Sequence, residues 1–475
     1  MTEMTANMSD YQINPAVFLA RCPPTYGDWR GKGATVAGAL RGVWQAMNLD
    51  PVNPFQGWLK RGGFAVIKPN WVSHFNGSGG GLECLVAHAS LISCIADWCA
   101  AAMQGEGRVV IGDCPVQGCN FPALMQATGM LAVAAMLQEK YPRVRFDIED
   151  WRLTIWKPTA RKHCDCESGG PQNVCDADVA VHYTEVDVGG GSFLEEIADY
   201  ADRFRVTMYN PKLLLPHHRP GVHQYLIRKD VLEADLLINL AKMKTHEKAG
   251  LTAALKNVVG VNGHKEYLPH HIKGAYFAGG DAYCRDACFA RWAEEVYDRQ
   301  WSSEPQLGRF ARWTAEKTHD LLMAANRLVG GDRIHPGSWS GNETIWRMTL
   351  DLNELLYFGA KRPKRVLNVI DGVIAGEGEG PLDPLPKAAG VILAGQNPAY
   401  LDAVVARLMG YNVSRVPTVY HAINHRRSHF AGPFLAEAPI YLVAEDGAAR
   451  LVSYGDIETL NFQAPRNWRR AKIAS

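Results

Sequence analysis

The sequence predicts an α/β protein built on a mainly parallel sheet with helices on both faces, an irregular or antiparallel excursion and a helical insertion. Three observations carry this. Short aliphatic runs (FAVIK at Phe64–Lys68, RVVIGD at Arg108–Asp113, DLLINL at Asp235–Leu240, RVLNVID at Arg365–Asp371) have the length and composition of buried strands. Apolar-faced helical patterns separate the first of them, which is the spacing of βα units. Composition is that of a folded protein, with 47% hydrophobic and 21% charged residues and no low-complexity tract.

Along the chain, residues 1–60 read as a lead-in, with turn-rich PPTYGD and GKGAT and one helix near Val36–Met47. The α/β core takes residues 61–274 and 361–450. Its first unit is FAVIK, a glycine-rich loop at Asn76–Gly81 and the helix LVAHASLISCIADWCAAAM; RVVIGD and a helix around Phe121–Gln138 follow. Between Trp151 and Pro220 the pattern breaks into short β-like pieces. Residues 275–360 are rich in Trp, Arg and helix formers and read as a helical insertion, serving as a lid or oligomer surface. RVLNVID and GVILAG restore the α/β pattern, and Asn397-Pro398 opens a helix with an N-cap residue and proline at the first helical position. Residues 451–475 form a tail whose RNWRRAK is expected to be frayed and solvated.

Fifty basic against 49 acidic residues give a formal charge of +1, which argues against a nonspecific nucleic-acid binder. The N-terminus lacks the basic start and apolar core of a secretory signal, and no apolar stretch approaches the roughly 20 residues that span a bilayer. A cytoplasmic protein without membrane partners is therefore expected. The eleven cysteines are scattered, which fits reduced thiols better than a disulfide framework.

The segment Asp235–His271 crowds Lys242, Lys244, His246, Lys256, His264, Lys265, His270 and His271 around one apolar run. In open α/β sheets ligands bind outside the carboxyl ends of the strands. Lys68, Asn70, Asp113, Lys242 to His246 and Asp371 all fall at or just past such ends, so parallel neighbours would bring them to one crevice. Lysines would hold a small anionic metabolite or sugar derivative there, with Asn257 and His270 beside them. A carboxylate, Lys244 or His246 would move a proton. The alternative is that Asp113 and Asp371 only cap turns. GEGEGP at Gly376–Pro381 admits two readings. The amides of Gly376, Gly378 and Gly380 could form an anion nest, or Glu377 and Glu379 could hold a divalent metal; a plain turn is equally open. Cys164, Cys166 and Cys175, with His163, have ligand-like spacing for zinc or an iron-sulfur cluster, against the commoner case of free thiols.

Taken together, AVIKPNWV (65–72), VVIGDCP (109–115), KMKTHEKAGLTAALKNVVG (242–260), NVIDGVIAGEGEGP (368–381) and GQNPAYLDAVVARLMGY (395–411) resemble the domain of unknown function 362 (DUF362) proteins. Some of those carry ferredoxin modules, but the CxxCxxC run that would mark one is absent. More locally, His246, Ala249-Gly250 and Lys256 resemble the lactate racemase pattern H-x-x-A-G-x-x-G-G-x-K. That resemblance implies an acid/base role for the histidine and a nickel-pincer cofactor on the lysine. Thr252, Ala253 and Ala254 depart from its glycines. These readings together give an enzyme with His246 and Lys256 at its chemical centre, possible metal assistance and a possible homo-oligomer. The alternatives are a metal or iron-sulfur redox protein and a non-catalytic ligand-binding protein.

Overall fold

A computed structural model describes residues 13–27, 35–156, 171–173, 176–207, 209–285, 288–302, 309–328, 335–359 and 365–473. Ten strands make the main sheet: β1 Val17–Arg21, β2 Gly63–Pro69, β3 Glu106–Asp113, β4 Arg143–Asp150, β5 Leu236–His246, β6 Gly250–Thr252, β7 Arg365–Glu379, β8 Asp383–Gly395, β9 Ile440–Val443 and β10 Ala449–Val452. Their order is β10-β9-β1-β8-β7-β5-β2-β3-β4, with β6 paired to β5. The five strands β7, β5, β2, β3 and β4 are mutually parallel. Four of them, β7, β5, β2 and β3, are the expected apolar runs, and their inner residues are buried on both faces, as a covered parallel sheet requires; β4, with RVRFDIED, is an edge strand the sequence did not suggest, and of its residues only Val144 is buried.

The other half corrects the expectation of a mainly parallel sheet. β8 runs antiparallel to both β7 and β1, and β9 is antiparallel to β10, so the sheet is mixed. The reason is length. Only residues 380–382 join β7 to β8, whereas a parallel crossover takes a dozen residues or more. GEGEGP is thus the end of a long hairpin. The supposed lead-in supplies β1, which sits inside the sheet between β8 and β9.

Helices Thr35–Ala46 and Ala89–Ala102 pack on one face, and Thr344–Phe358 and Pro398–Met409 on the other. The last begins as expected: Asn397 Oδ1 accepts from Ala399 N at 3.0 Å, and Gly410, in the left-handed region, closes the helix. In the insertion, Cys288–Ser302 and Arg309–Leu328 form a helical pair, while Thr344–Phe358 belongs to the core. Two strands of the excursion, 183–187 and 218–219, pair antiparallel with 222–228 just beyond it. The tail is not frayed. Trp468 is buried against Gly250, and its indole N–H donates to Glu247 O at 2.6 Å. No single helix among the described residues is long and apolar enough to cross a membrane; Phe121–Ala127 and Met130–Lys140 reach that length only across a 71° bend.

Candidate functional site

The carboxyl ends of β2, β3, β5 and β7 lie side by side, and the expected residues fall on two faces of the sheet. On one face Lys68 Nζ pairs with Asp113 Oδ1 at 2.6 Å, both almost fully buried. The same ammonium donates to Pro69 O and to Asn257 Oδ1, at 2.8 and 3.1 Å, which uses its three protons. Asp113 also accepts from the Trp71 and Cys114 amides. Burial pulls both partners toward their neutral forms, Lys68 down and Asp113 up, and their mutual attraction opposes it. On the opposite face Lys242 Nζ meets Asp371 Oδ2 at 2.8 Å with both side chains fully buried. Tyr26 closes this second pair. Its hydroxyl accepts from Lys242 at 2.6 Å and donates to Asp371 Oδ1 at 2.8 Å, and its ring stacks on His88 at 3.7 Å. Asp113 and Asp371 are thus each held by a lysine, and Lys242 and Asp371 tie sheet to helix layer instead of facing a shared crevice.

Between the strands runs a chain of amides. Asn368, Asn239 and Lys68 occupy one register across β7, β5 and β2. Asn239 donates to Asn368 Oδ1 at 2.9 Å and accepts from Asn257 Nδ2 at 2.7 Å. Asn257 makes four hydrogen bonds, the remaining three being with Lys68 Nζ, Lys68 O and Asn70 Nδ2, so it positions its neighbours and has nothing left for a ligand. Asn70 keeps a buried, unpaired Oδ1. The short helix Ala254–Asn257 is anchored at its start by Asp402, which accepts from Ala254 N and Leu255 N at 2.7 and 3.0 Å. Asp402 thereby fixes the direction from which Lys256 leaves the helix. After that helix comes Gly260, where an added Cβ would overlap Asp113 Oδ1 and crowd Lys68 Nζ. Gly260→Ala is expected to cost roughly 1–3 kcal/mol through this overpacking, read as a lowered urea midpoint.

Around Lys256 several ammoniums are gathered, with Asp113 the one carboxylate whose attraction Lys256 feels. Burial and the neighbouring Lys248 and Lys68 ammoniums push the Lys256 amine down to about 8. The same desolvation takes Lys248 and Lys265 to about 8, and Lys244, beside Lys242, to about 7. Lys244 has one acceptor, Leu85 O at 2.6 Å, and Lys248 bonds Thr207 Oγ1 and Pro336 O. Among the described residues Lys256 makes no hydrogen bond or ion pair. Two imidazoles face this charge with opposite tautomers. His246 Nδ1 accepts from Lys248 N and Ala249 N at 3.0 and 3.3 Å, so its neutral ring carries the proton on Nε2. His270 Nδ1 lies 2.7 Å from Leu268 O and must donate to it, which leaves Nε2 bare. Burial first and then Lys256 hold both rings well below the usual imidazole range. His246 therefore carries an Nε2–H and His270 an unprotonated Nε2.

The glycine-rich segment has another use. Gly376 backs onto the Lys244 side chain, Gly378 O accepts from Thr245 Oγ1 at 2.8 Å, and a Cβ at Gly380 would overlap Thr245 O. Its amides are not a free nest: Gly378 N donates to Gln463 O at 2.8 Å and Gly380 N to Gly378 O at 2.9 Å. Glu377 accepts from Gln463 N and Glu379 from Arg466 N, at 2.8 and 3.2 Å, so both carboxylates brace the tail. Among the described residues no group of three or more His, Cys, Asp or Glu could hold a metal ion. Cys164, Cys166 and Cys175 lie outside the described residues.

Sequence reasoning missed Lys248, Tyr26, His88, Asn239 and Asn368. For the two asparagines a signal existed, a carboxamide interrupting an aliphatic run in DLLINL and RVLNVID. Tyr26 and His88 offered none, since only the folded order of strands brings them to Asp371.

No curated protein matches the chain, and the comparisons give no support to the lactate racemase resemblance. A family model described as "Domain of unknown function (DUF362)" matches residues 195–407. That stretch contains Lys244, His246, Lys248, Lys256, Lys265 and His270 but not Lys68, Asn70 or Asp113. Residues 195–407 are a DUF362 family domain, and the lysine and histidine cluster lies within it.

Proposed function

We propose that the protein is an enzyme that binds a small anionic metabolite, such as a carboxylate, phosphate or sugar acid, at this edge and moves a proton on it. The observation that carries the reading is Lys256. A desolvated amine without a partner, among other lysines held short of full charge, is costly to keep in an empty site and is relieved by an anion. Lys256, Lys248 and Lys244 hold the anion, the His246 Nε2–H polarises an oxygen, and the bare His270 Nε2 takes the proton. Metal at Glu377 and Glu379 is not part of this reading, because both carboxylates are engaged by the tail.

Two measurements test it. Proton exchange into D2O from a panel of small hydroxy and oxo acids, followed by NMR, should fall by about 100-fold or more in His270→Gln. Phosphate binding followed by calorimetry at pH 8 should take up protons, because lysines titrating near 7 to 8 are pulled to their charged form, and the apparent enthalpy should track the buffer's ionisation enthalpy. An unfolding midpoint that no anion raises would sink the proposal.

A further inference from the structure

We infer that the buried imidazoles of His218 and His223 form a one-proton site: the pair takes a single proton between its two Nδ1 atoms as the pH falls, and so grips the segment that carries His270. The sequence HRPGVH builds the pair. Gly221, at φ +75°, turns the chain behind Pro220 and brings His218 directly opposite His223 in antiparallel register, so both rings leave the same face. Neither residue has exposed surface. His218 Nε2 lies 3.0 Å from Tyr267 O, the two Nδ1 atoms are 3.4 Å apart, and His223 Nε2 lies 3.0 Å from Glu195 Oε2. The ring centroids are 5.7 Å apart, which is the nitrogen separation plus one imidazole radius at each end, so the Nδ1 atoms face each other head on. A metal ion bound to both at about 2.0–2.1 Å in tetrahedral geometry would draw the lone pairs to a point off that line. A hydrogen-bonding proton sits on it.

Two neutral rings carry two protons for three contacts. A carbonyl and a carboxylate only accept, so both Nε2 atoms donate, the bond to Glu195 being the stronger for its charge. Nothing is then left for the Nδ1 pair, and that contact is the longest of the three. One proton from solvent completes the chain. It belongs on His223, which donates from Nδ1 to His218 and from Nε2 to Glu195, so the carboxylate cancels the imidazolium charge. Burial holds both rings down, His218 to about 3, while on His223 the bond to Glu195 opposes it. The proton therefore arrives on the acid side of the ordinary imidazole value.

Other polar groups around the pair are engaged. Asp187 Oδ1 accepts from His223 N and Gly189 N at 2.9 and 2.8 Å, and Glu195 Oε2 accepts from Gly221 N at 2.9 Å. Tyr225, edge-on to His218, donates its hydroxyl to Asp351 at 2.7 Å. His217, with Nδ1 3.0 Å from Gln224 Oε1 and 3.9 Å from Glu185, lays its ring on Tyr267 at 3.8 Å. Tyr267 is thus held by its carbonyl, its ring and its hydroxyl, which donates to Glu185 at 2.8 Å. The next carbonyl, Leu268 O, takes the His270 Nδ1 proton.

The test records two-bond 1H–15N ring spectra of the full chain, labelled at histidine, from about pH 8 to about pH 5. Glu195 is partly exposed, so Glu195→Gln is the mild variant, and its perturbed ring signal identifies His223; His270→Gln identifies His270. Near pH 8 both rings should show a protonated Nε2 and a bare Nδ1. On acidification the two Nδ1 signals should move together through one midpoint, the Nε2 signals should stay protonated, and the His270 ring should respond at the same midpoint. Glu195→Gln should weaken proton binding by the pair roughly 10-fold or more. An Nδ1 proton already present near pH 8, two independent midpoints, a bare His223 Nε2, or no uptake before the chain unfolds overturns the one-proton site. An unchanged midpoint in Glu195→Gln overturns it equally. A His270 ring indifferent to the midpoint overturns the grip on its segment.

Discussion

Asp371→Asn is expected to destabilise the protein by about 3–5 kcal/mol, because it leaves the Lys242 ammonium buried without its counter-charge. The loss is compounded by the geometry. Asp371 Oδ2 also accepts from the His88 amide at 3.0 Å, and Tyr26 bridges both charged partners, so one substitution disturbs strand, helix N-cap and N-terminal segment together. Replacing both partners, as Lys242→Met with Asp371→Leu, should recover much of the cost, since apolar groups of similar size need no desolvation. Urea unfolding of the two single variants and the double variant gives the coupling. A cost below about 1 kcal/mol for Asp371→Asn would mean that the pair is not held as an ion pair in the folded protein.

Lys256→Met should act in the opposite direction and raise the stability of the ligand-free protein at pH 7 by roughly 1–3 kcal/mol, while removing phosphate binding. The sign follows from proton counting. The folded amine titrates near 8 and the unfolded one at its ordinary value of 10.5, so folding below pH 8 must keep a proton in a desolvated place. Between 8 and 10.5 the unfolded chain binds more protons than the folded one, and wild-type stability from this group rises with pH. The advantage of Lys256→Met should therefore be full below about pH 8 and fade as pH climbs toward 10.5. Thermal unfolding of both proteins across that range decides it; an advantage that grows with pH would contradict the buried charge.

What the sequence disclosed was local. Strands Phe64–Lys68, Arg108–Asp113, Asp235–Leu240 and Arg365–Asp371 were legible because a covered parallel strand is a short unbroken apolar run. The crowd of cations near Lys256 was equally legible, because it lies in one segment. Partnerships were not, since they depend on strand order and on the parity of positions within a strand. Lys68 and Lys242 each follow an apolar run, yet they leave opposite faces of the sheet and take different carboxylates. The hairpin was hidden for a related reason: Gly376, Gly378 and Gly380 suit a ligand nest as well as they suit a backbone pressed against Thr245. His246 and His270 could be named but not told apart, because the hydrogen bond at each Nδ1 comes from the folded backbone.

The docking of Trp468 has a consequence for the order of events during synthesis. Its indole backs Gly250 and bonds Glu247 O, 221 positions earlier in the chain, just behind the loop that carries His246 and Lys248. Closing a contact of that separation is slow compared with forming a βα unit. On the ribosome, the sheet's parallel centre can form once β7 has emerged, but the loop behind the lysines lacks its backing until Trp468 clears the exit tunnel. Competence to bind the proposed anion would then be among the last properties the nascent chain acquires.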